Sequence, residues 1–257
     1  MRARLHHINC GLLHAPPNPE SSCHCWLIEC DAGLILVDSG IGLEDCRDPD
    51  RRIGQAAIQA AGFTFHPQNS AFEQIRSLGL DPAGVTHIVL THADHDHVGG
   101  LADFPAATVH VTREEHDAVA AGHERYSPAQ FEHGVVWRIY AENDSEALGL
   151  PARRLRIEGA PPMHLVPLFG HTAGHASVAL ELDGGQHLHV GDAYYLRGEL
   201  DDPDHPVAAL STLMAVNNTQ RLESLETVRR LVATGRVRTN GYHDFSEFES
   251  PPTVTRG

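Results

Sequence analysis

The stretch IVLTHADHDHVGGLADF, Ile88 to Phe104, sets an apolar run ending at Thr91 against His92, Asp94, His95, Asp96 and His97, followed by the diglycine Gly99-Gly100. Three histidines and three aspartates fall within a dozen residues. The run THIVLT reads as a buried strand, so His92, Asp94, Asp96 and His97 are expected on the loop at its C-terminal edge, where open α/β sheets place ligands. Imidazole nitrogens and carboxylate oxygens converging on a tight turn suit a borderline-soft divalent cation. The two glycines let the chain turn closely beneath such a site into the next helix. A solvated polar loop is the plain alternative. It loses ground because LFGHTAGHAS, LHVGDAYY and RTNGYHD also place a histidine or aspartate after an apolar strand beside glycine, and LILVDSG adds an aspartate after another.

Outward from that stretch, CHCWLIECDAGLILVDSG reads as a hairpin turning at Asp31-Ala32-Gly33, with its second strand ending at Asp38. Cys23 and Cys25 share one face of the first strand and read as packed core, since no second cysteine pair accompanies them. SAFEQIRSLGL has helical spacing, with Ser70 as N-cap and Gly79 as stop, and DPAG turns the chain into THIVLT. VGGLADF is expected to start a helix, ATVHVT a strand, and REEHDAVAAG a helix with acids in its first turn. Residues 123–162 show no clean periodicity and are expected to form a lid or substrate-side insertion within one domain spanning residues 1–257. Strands resume at HLVPLF, SVALEL and QHLHVGDA, and TQRLESLETVRRLVATG reads as an amphipathic helix ending at Gly235.

The composition bounds the function. The chain has 257 residues, 41% of them hydrophobic and 21% charged, with 23 glycines and 16 prolines, as in a loop-rich globular enzyme. A formal charge of −15 opposes binding to nucleic acid, which needs a basic stripe. No apolar run reaches the roughly 20 residues that span a bilayer, so no membrane partner is expected. MRARLHHINCGLLHAPP lacks the pattern of a secretory signal, and the five cysteines do not form a disulfide framework. A cytoplasmic location with reduced thiols is therefore expected.

The order VDSG, THADHDHVGG, GHTAGH, GDA and GYHD resembles the five-motif layout of the metallo-β-lactamase superfamily, from about Cys23 to His243. The resemblance implies an α/β fold, a four-layer αββα sandwich of two mixed β-sheets, with a dinuclear metal site along one edge. Carried over by position, His92, Asp94 and His175 would hold one ion and Asp96, His97 and His243 the other, with Asp192 bridging them. Asp38 would orient a ligand by hydrogen bonding. The chain departs from the common His-x-His-x-Asp-His pattern by having Asp94 at the second position and an additional His95, here expected in the pocket wall. His171, His187 and His189 are expected to be structural. Two divalent ions, zinc first and manganese or iron as alternatives, are implied.

Paired ions lower the pKa of a bridging water and polarise a carbonyl, which makes hydroxide attack on an ester or lactone feasible at neutral pH. Asp96 would steer the nucleophile or shuttle a proton. Tyr195, three residues after Asp192, matches a tyrosine that contacts the substrate carbonyl in the superfamily's N-acyl homoserine lactonases, whose first hairpin CHCWLIECDAGLILVDSG also resembles. Adjacent residues on an extended segment face opposite ways, so only one of Tyr194 and Tyr195 is expected to reach the metals. The expected function is hydrolysis of a small ester or lactone. A diiron oxygen-handling protein and a thioester or β-lactam hydrolase are the alternatives. A small molecule is the expected partner, and the oligomeric state stays open, with a homodimer surface sought in the middle segment.

Overall fold

In the computed structural model, which describes residues 3–248, two β-sheets pack face to face. The first contains β1 (Arg4–Leu13), β2 (Ser21–Cys30), β3 (Gly33–Val37), β4 (Phe63–Thr64), β5 (Val85–Val89), β6 (Thr108–Thr112) and β7 (Val136–Tyr140), in the order β4-β1-β2-β3-β5-β6-β7. The second contains β8 (Ser145–Ala147), β9 (Leu150–Arg154), β10 (Met163–Pro167), β11 (Ala176–Leu182), β12 (Gly185–His189) and β13 (Val237–Asn240), in the order β13-β12-β11-β10-β9-β8. Both are mixed: β3, β5, β6 and β7 run parallel, as do β12 and β13, and the remaining pairs are antiparallel.

Alternation along the strands sorts the apolar side chains into layers. In β3, Ile35 and Val37 join Trp26 and Ile28 of β2 in the core between the sheets, facing Leu165 of β10 and Val178 of β11. Leu34 and Leu36 point the other way, into a core shared with the outer helices. A strand buried on both faces reads as an unbroken apolar run, which is what GLILV is. The helices are α1 (Leu43–Arg47), α2 (Pro49–Arg52), α3 (Gln55–Ala61), α4 (Ala71–Ser77), α5 (His95–Val98), α6 (Arg113–Ala120), α7 (Ala208–Met214) and α8 (Asn218–Ala233). Ile58 of α3 and Ile75 of α4 cover the first sheet, and Leu225, Val228 and Leu231 of α8 cover the second. The result is the αββα sandwich.

Local signals act where the sequence places them. Ser70 caps α4 by accepting from the Glu73 amide at 3.3 Å, a bond of about 1 kcal/mol, and Gly79 follows the helix at φ +76°. Thr112, the last residue of β6, caps α6 in the same way. Two segments differ from expectation. The helix after β5 begins at His95, so Asp96 and His97 sit on its first turn and only His92 and Asp94 lie on the loop. Residues 123–162, expected as a lid or substrate-side insertion, supply β7 to the first sheet and β8 and β9 to the second, while Glu124 and Arg125 at their start line the cavity. These strands lie toward the sheet edges with at least one side partly exposed, so their periodicity is faint.

Parallel register brings the polar motifs to one edge. Val37 pairs with Val89 at the ends of β3 and β5, so Asp38 and Thr91 emerge side by side. His189 pairs with Asn240 at the ends of β12 and β13, so Asp192 and His243 each follow three residues on. Backbone bonds then join the two sheets: Ser22 and His24 of β2 donate to the carbonyls of His243 and Tyr242 at 3.1 and 2.9 Å. Among the described residues no helix is long and apolar enough to cross a membrane, and all five cysteines are free thiols.

Candidate metal centre

At that shared edge the side chains form two compact groups, His92 with His171 and Asp192, and Asp96 with His97 and His243, all buried. Asp192 lies between them. Its Oδ2 is 3.2 Å from His243 Nε2 and 3.4 Å from His171 Nε2, and its Oδ1 is 3.5 Å from His97 Nε2.

The ring orientations are set from behind. Asp38, at φ +57° on the end of β3, accepts from the Thr91 amide at 2.8 Å, the Thr91 hydroxyl at 2.7 Å and His97 Nδ1 at 2.9 Å. His92 Nδ1 lies 3.0 Å from Thr91 Oγ1, and His243 Nδ1 donates to the Ser22 carbonyl at 2.9 Å. With Nδ1 protonated and tied back, each of these three rings turns a bare Nε2 toward the centre, which is the tautomer a cation needs. The hydroxyl of Tyr242 donates to the Asp96 carbonyl while its ring stacks on His97 at 3.7 Å.

Among the described residues, His92 Nε2, His97 Nε2, Asp96 Oδ2 and Asp192 Oδ1 are buried polar atoms without a hydrogen-bond partner. Such atoms are costly unless something satisfies them. Here they are nitrogen and oxygen donors facing a common point, so the residues fit divalent ions. The electrostatics agree. Burial works against protonation of His97 and His243, yet Asp192 with the neighbouring carboxylates raises both rings above their ordinary value. Burial opposes ionisation of Asp192, but His243 and His97 hold it well below the usual carboxylate range. The centre is a field of negative charge that favours cations.

Of the two histidines in GHTAGH, the one standing in the compact donor group is His171 rather than the expected His175. His175 was placed among the ligands, but its Nδ1 donates to the Leu168 carbonyl at 2.8 Å and its Nε2 accepts from the Asp192 amide at 3.0 Å. Both nitrogens are engaged with backbone. A side chain at Gly191, φ +55°, would lie 2.7 Å from that Nε2, so glycine is required where the two loops meet. His171, expected to be structural, instead faces Asp192 and Asp94. GHTAGH offers two histidines four apart, and motif order alone does not distinguish them.

Asp94 lies beside the first group, its Oδ2 3.1 Å from His171 Nε2 and 3.3 Å from His92 Nε2, while the guanidinium of Arg125 takes both of its oxygens. Burial alone would raise the Asp94 carboxyl, but Arg125 and His92 bring it well below its ordinary value. His95 is in the pocket wall, its Nδ1 2.9 Å from Gln130 Oε1. His189 is engaged with the His24 carbonyl at 2.7 Å, and His187 packs edge-on against Trp26. Of the adjacent tyrosines, Tyr195 lines the pocket beside His243, ring centroids 5.0 Å apart, while Tyr194 turns away to donate to Glu247 at 2.8 Å.

Glu115 escaped the sequence reading. Fully buried on the first turn of α6, it accepts from the Ala93 amide (2.8 Å), the Tyr126 hydroxyl (2.8 Å), the Thr172 hydroxyl (2.6 Å) and the Gly174 amide (3.0 Å). One carboxylate thus fixes the His92 loop to the His171 loop. Its only sequence signal was an acid near a helix N-terminus, which reads as a solvated dipole partner.

The centre forms one end of a cavity of about 300 Å³ whose remaining wall is mainly apolar, including Leu13, Ala57, Phe63, Val207, Leu210 and Met214. The chain is 39% identical over 204 residues to a probable metallo-hydrolase of Mycobacterium tuberculosis, covering 77% of this chain and 64% of that protein, so it spans less than two thirds of that relative. It is 26% identical over 208 residues to an N-acyl homoserine lactonase of Agrobacterium fabrum, covering 77% and 75% of the two chains. A solved N-acyl homoserine lactone hydrolase with N-hexanoyl-L-homoserine at its catalytic metal center shares the fold, with a TM-score of 0.72 at 19% identity over 95% of this chain and 94% of the other. The pattern of the metallo-beta-lactamase superfamily matches residues 18–234, and with the two donor groups meeting on Asp192 at the common edge of two sheets, the chain belongs to that superfamily.

Proposed function

We propose that the protein is a dinuclear metal-dependent hydrolase that cleaves a small ester or lactone carrying an apolar acyl group. The observation that carries this reading is the pair of buried donor groups sharing Asp192 at the end of a mainly apolar cavity. His92 and His171, with Asp94 beside them, would hold one ion, and Asp96, His97 and His243 the other. The mixture of imidazole nitrogen and carboxylate oxygen favours zinc, with manganese or iron as alternatives. Bound ions at these positions supply a water of lowered pKa and an electrophile for the carbonyl.

The chain's own groups do the rest. The apolar wall holds the acyl chain and excludes water around the scissile carbonyl. Burial, reinforced by Asp192 and Asp94, pushes the Tyr195 phenol well above its ordinary value, so it remains a hydrogen-bond donor for the oxygen on which charge develops. Asp96 faces the same space, which supports it as the group that takes a proton from the attacking water and returns it to the departing alkoxide. The acyl carbon–oxygen bond of the ester breaks, leaving an alcohol and a carboxylic acid that releases its proton to solvent at neutral pH. The lactone-cleaving names of the Agrobacterium relative and of the solved structure support this substrate class.

The test is elemental analysis of protein purified without added metal, followed by a panel of lactones and esters of increasing acyl length. Turnover that rises with acyl length and is lost in Asp192→Asn is expected. Fully metallated protein that hydrolyses nothing in the panel would sink the proposal.

A further inference from the structure

The pairing of Asp94 with Arg125 has no counterpart in the motif layout, and it lies against the first donor group. Arg125, 31 residues on in sequence, places Nε against Asp94 Oδ1 and Nη2 against Asp94 Oδ2. The same Nη2 is 3.0 Å from His171 Nε2. Its Nη1 donates to the carbonyl of Met214 at the end of α7, and the side chains of Arg125 and Asp94 are each only 14% exposed. The guanidinium is therefore fixed from three sides, and one of its nitrogens contacts two of the donor atoms that a metal ion at His92 and His171 needs. Among the described residues no arginine or lysine pairs with the second group, where Asp96 Oδ2 and His97 Nε2 have no hydrogen-bond partner.

We infer that Arg125 is an internal cation that competes with a metal ion for the half-site of His92, Asp94 and His171. Two ions then bind unequally, and the half-site of Asp96, His97 and His243 fills first. This rests on the metal-centre reading above and deepens it. An incoming dication meets a fixed positive charge within a few ångströms in a water-poor site, where like charges repel strongly. It must also draw Asp94 Oδ2 and His171 Nε2 away from hydrogen bonds already made. At the second half-site two of the three donors, Asp96 Oδ2 and His97 Nε2, have no partner and only His243 Nε2 is shared with Asp192 Oδ2, whereas at the first only His92 Nε2 is without one.

The test is calorimetric titration of chelator-stripped protein with zinc, with metal per chain counted after gel filtration at equimolar and excess zinc. The wild type is expected to retain one ion, with the second bound at least about tenfold more weakly. Arg125→Met is expected to narrow that gap about tenfold, whereas Arg125→Lys, which keeps the charge, leaves most of it. Histidine ring signals in the NMR spectrum of the wild type give a measurement independent of any variant's folding. The first equivalent of zinc is expected to shift His97 and His243 before His92 and His171. Two ions of equal affinity in the wild type, the reverse order of ring shifts, or an unchanged or wider gap in a folded Arg125→Met variant would overturn the inference. Failure to bind zinc at either half-site would remove the metal-centre reading itself, an outcome distinct from equal binding.

Discussion

Single side chains at the centre divide into those that face it and those that hold it up, and substitution separates the two. His171→Ala removes a donor from the first half-site and is expected to lower bound metal with little change in the thermal midpoint of metal-free protein. His175→Ala leaves the Leu168 carbonyl and the Asp192 amide buried and unpaired. It is expected to destabilise metal-free protein by about 2 kcal/mol, read by urea denaturation. Equal behaviour of the two variants would restore His175 to the ligand set. Tyr195→Phe is expected to reduce kcat by about 10²-fold on the best ester or lactone, with metal content unchanged. An unaltered kcat would leave Tyr195 as a wall residue. The residue types of the centre were legible because His and Asp follow strand ends beside glycine. The choice between His171 and His175 was not, since it depends on which ring the Gly191 turn traps. The partner of Asp94 was hidden for a related reason: Arg125 lies in a segment without periodicity, where a lone arginine carries no signal.

Elements position these side chains through a few connections that cross from one loop to another. Glu115 joins α6 to the turns before and after it in space, accepting four bonds that a carboxamide cannot all replace. Glu115→Gln puts an N–H₂ against existing donors, and a loss of about 2–3 kcal/mol is expected. If the thermal midpoint and zinc content both stay at wild-type values, Glu115 does not couple these loops. The strands and longer helices were readable from caps, turns and alternation, as at Ser70, Asp31-Ala32-Gly33 and GLILV. β7, β8 and β9 were not, because short strands near sheet edges bury too little of either face to print a period of two. The short α5 also went unread, since its four residues, His95–Val98, are chosen for chemistry rather than helix propensity.

For the molecule as a whole, buried neutral histidines are expected to lower stability in acid. His110, on β6 and only 2% exposed, bonds His87 and the Tyr140 hydroxyl at 2.9 and 2.8 Å. Burial, with the charges of His87 and Arg138, pushes it down to about 3. The fold keeps His110 neutral, while the unfolded chain takes up a proton below an ordinary value of about 6.5. Its contribution is therefore complete above pH 6.5 and is lost as pH falls toward 3. Urea denaturation of metal-free protein is expected to show this residue costing about 2 kcal/mol between pH 7.5 and 5, a slope that His110→Gln should reduce. An identical pH slope in the variant would assign the acid sensitivity elsewhere. The two-sheet architecture was legible only through the resemblance carried by the five motifs, because strand order and sheet pairing leave no local mark. The bonds from β2 to the carbonyls of Tyr242 and His243 join residues about 220 positions apart. His243 can therefore reach its place only after about 220 residues beyond Ser22 have left the ribosome. Shorter nascent intermediates would retain most hydrophobic layers yet lack a finished cation cradle, so cation capture would follow the collapse of the sheets rather than seed it.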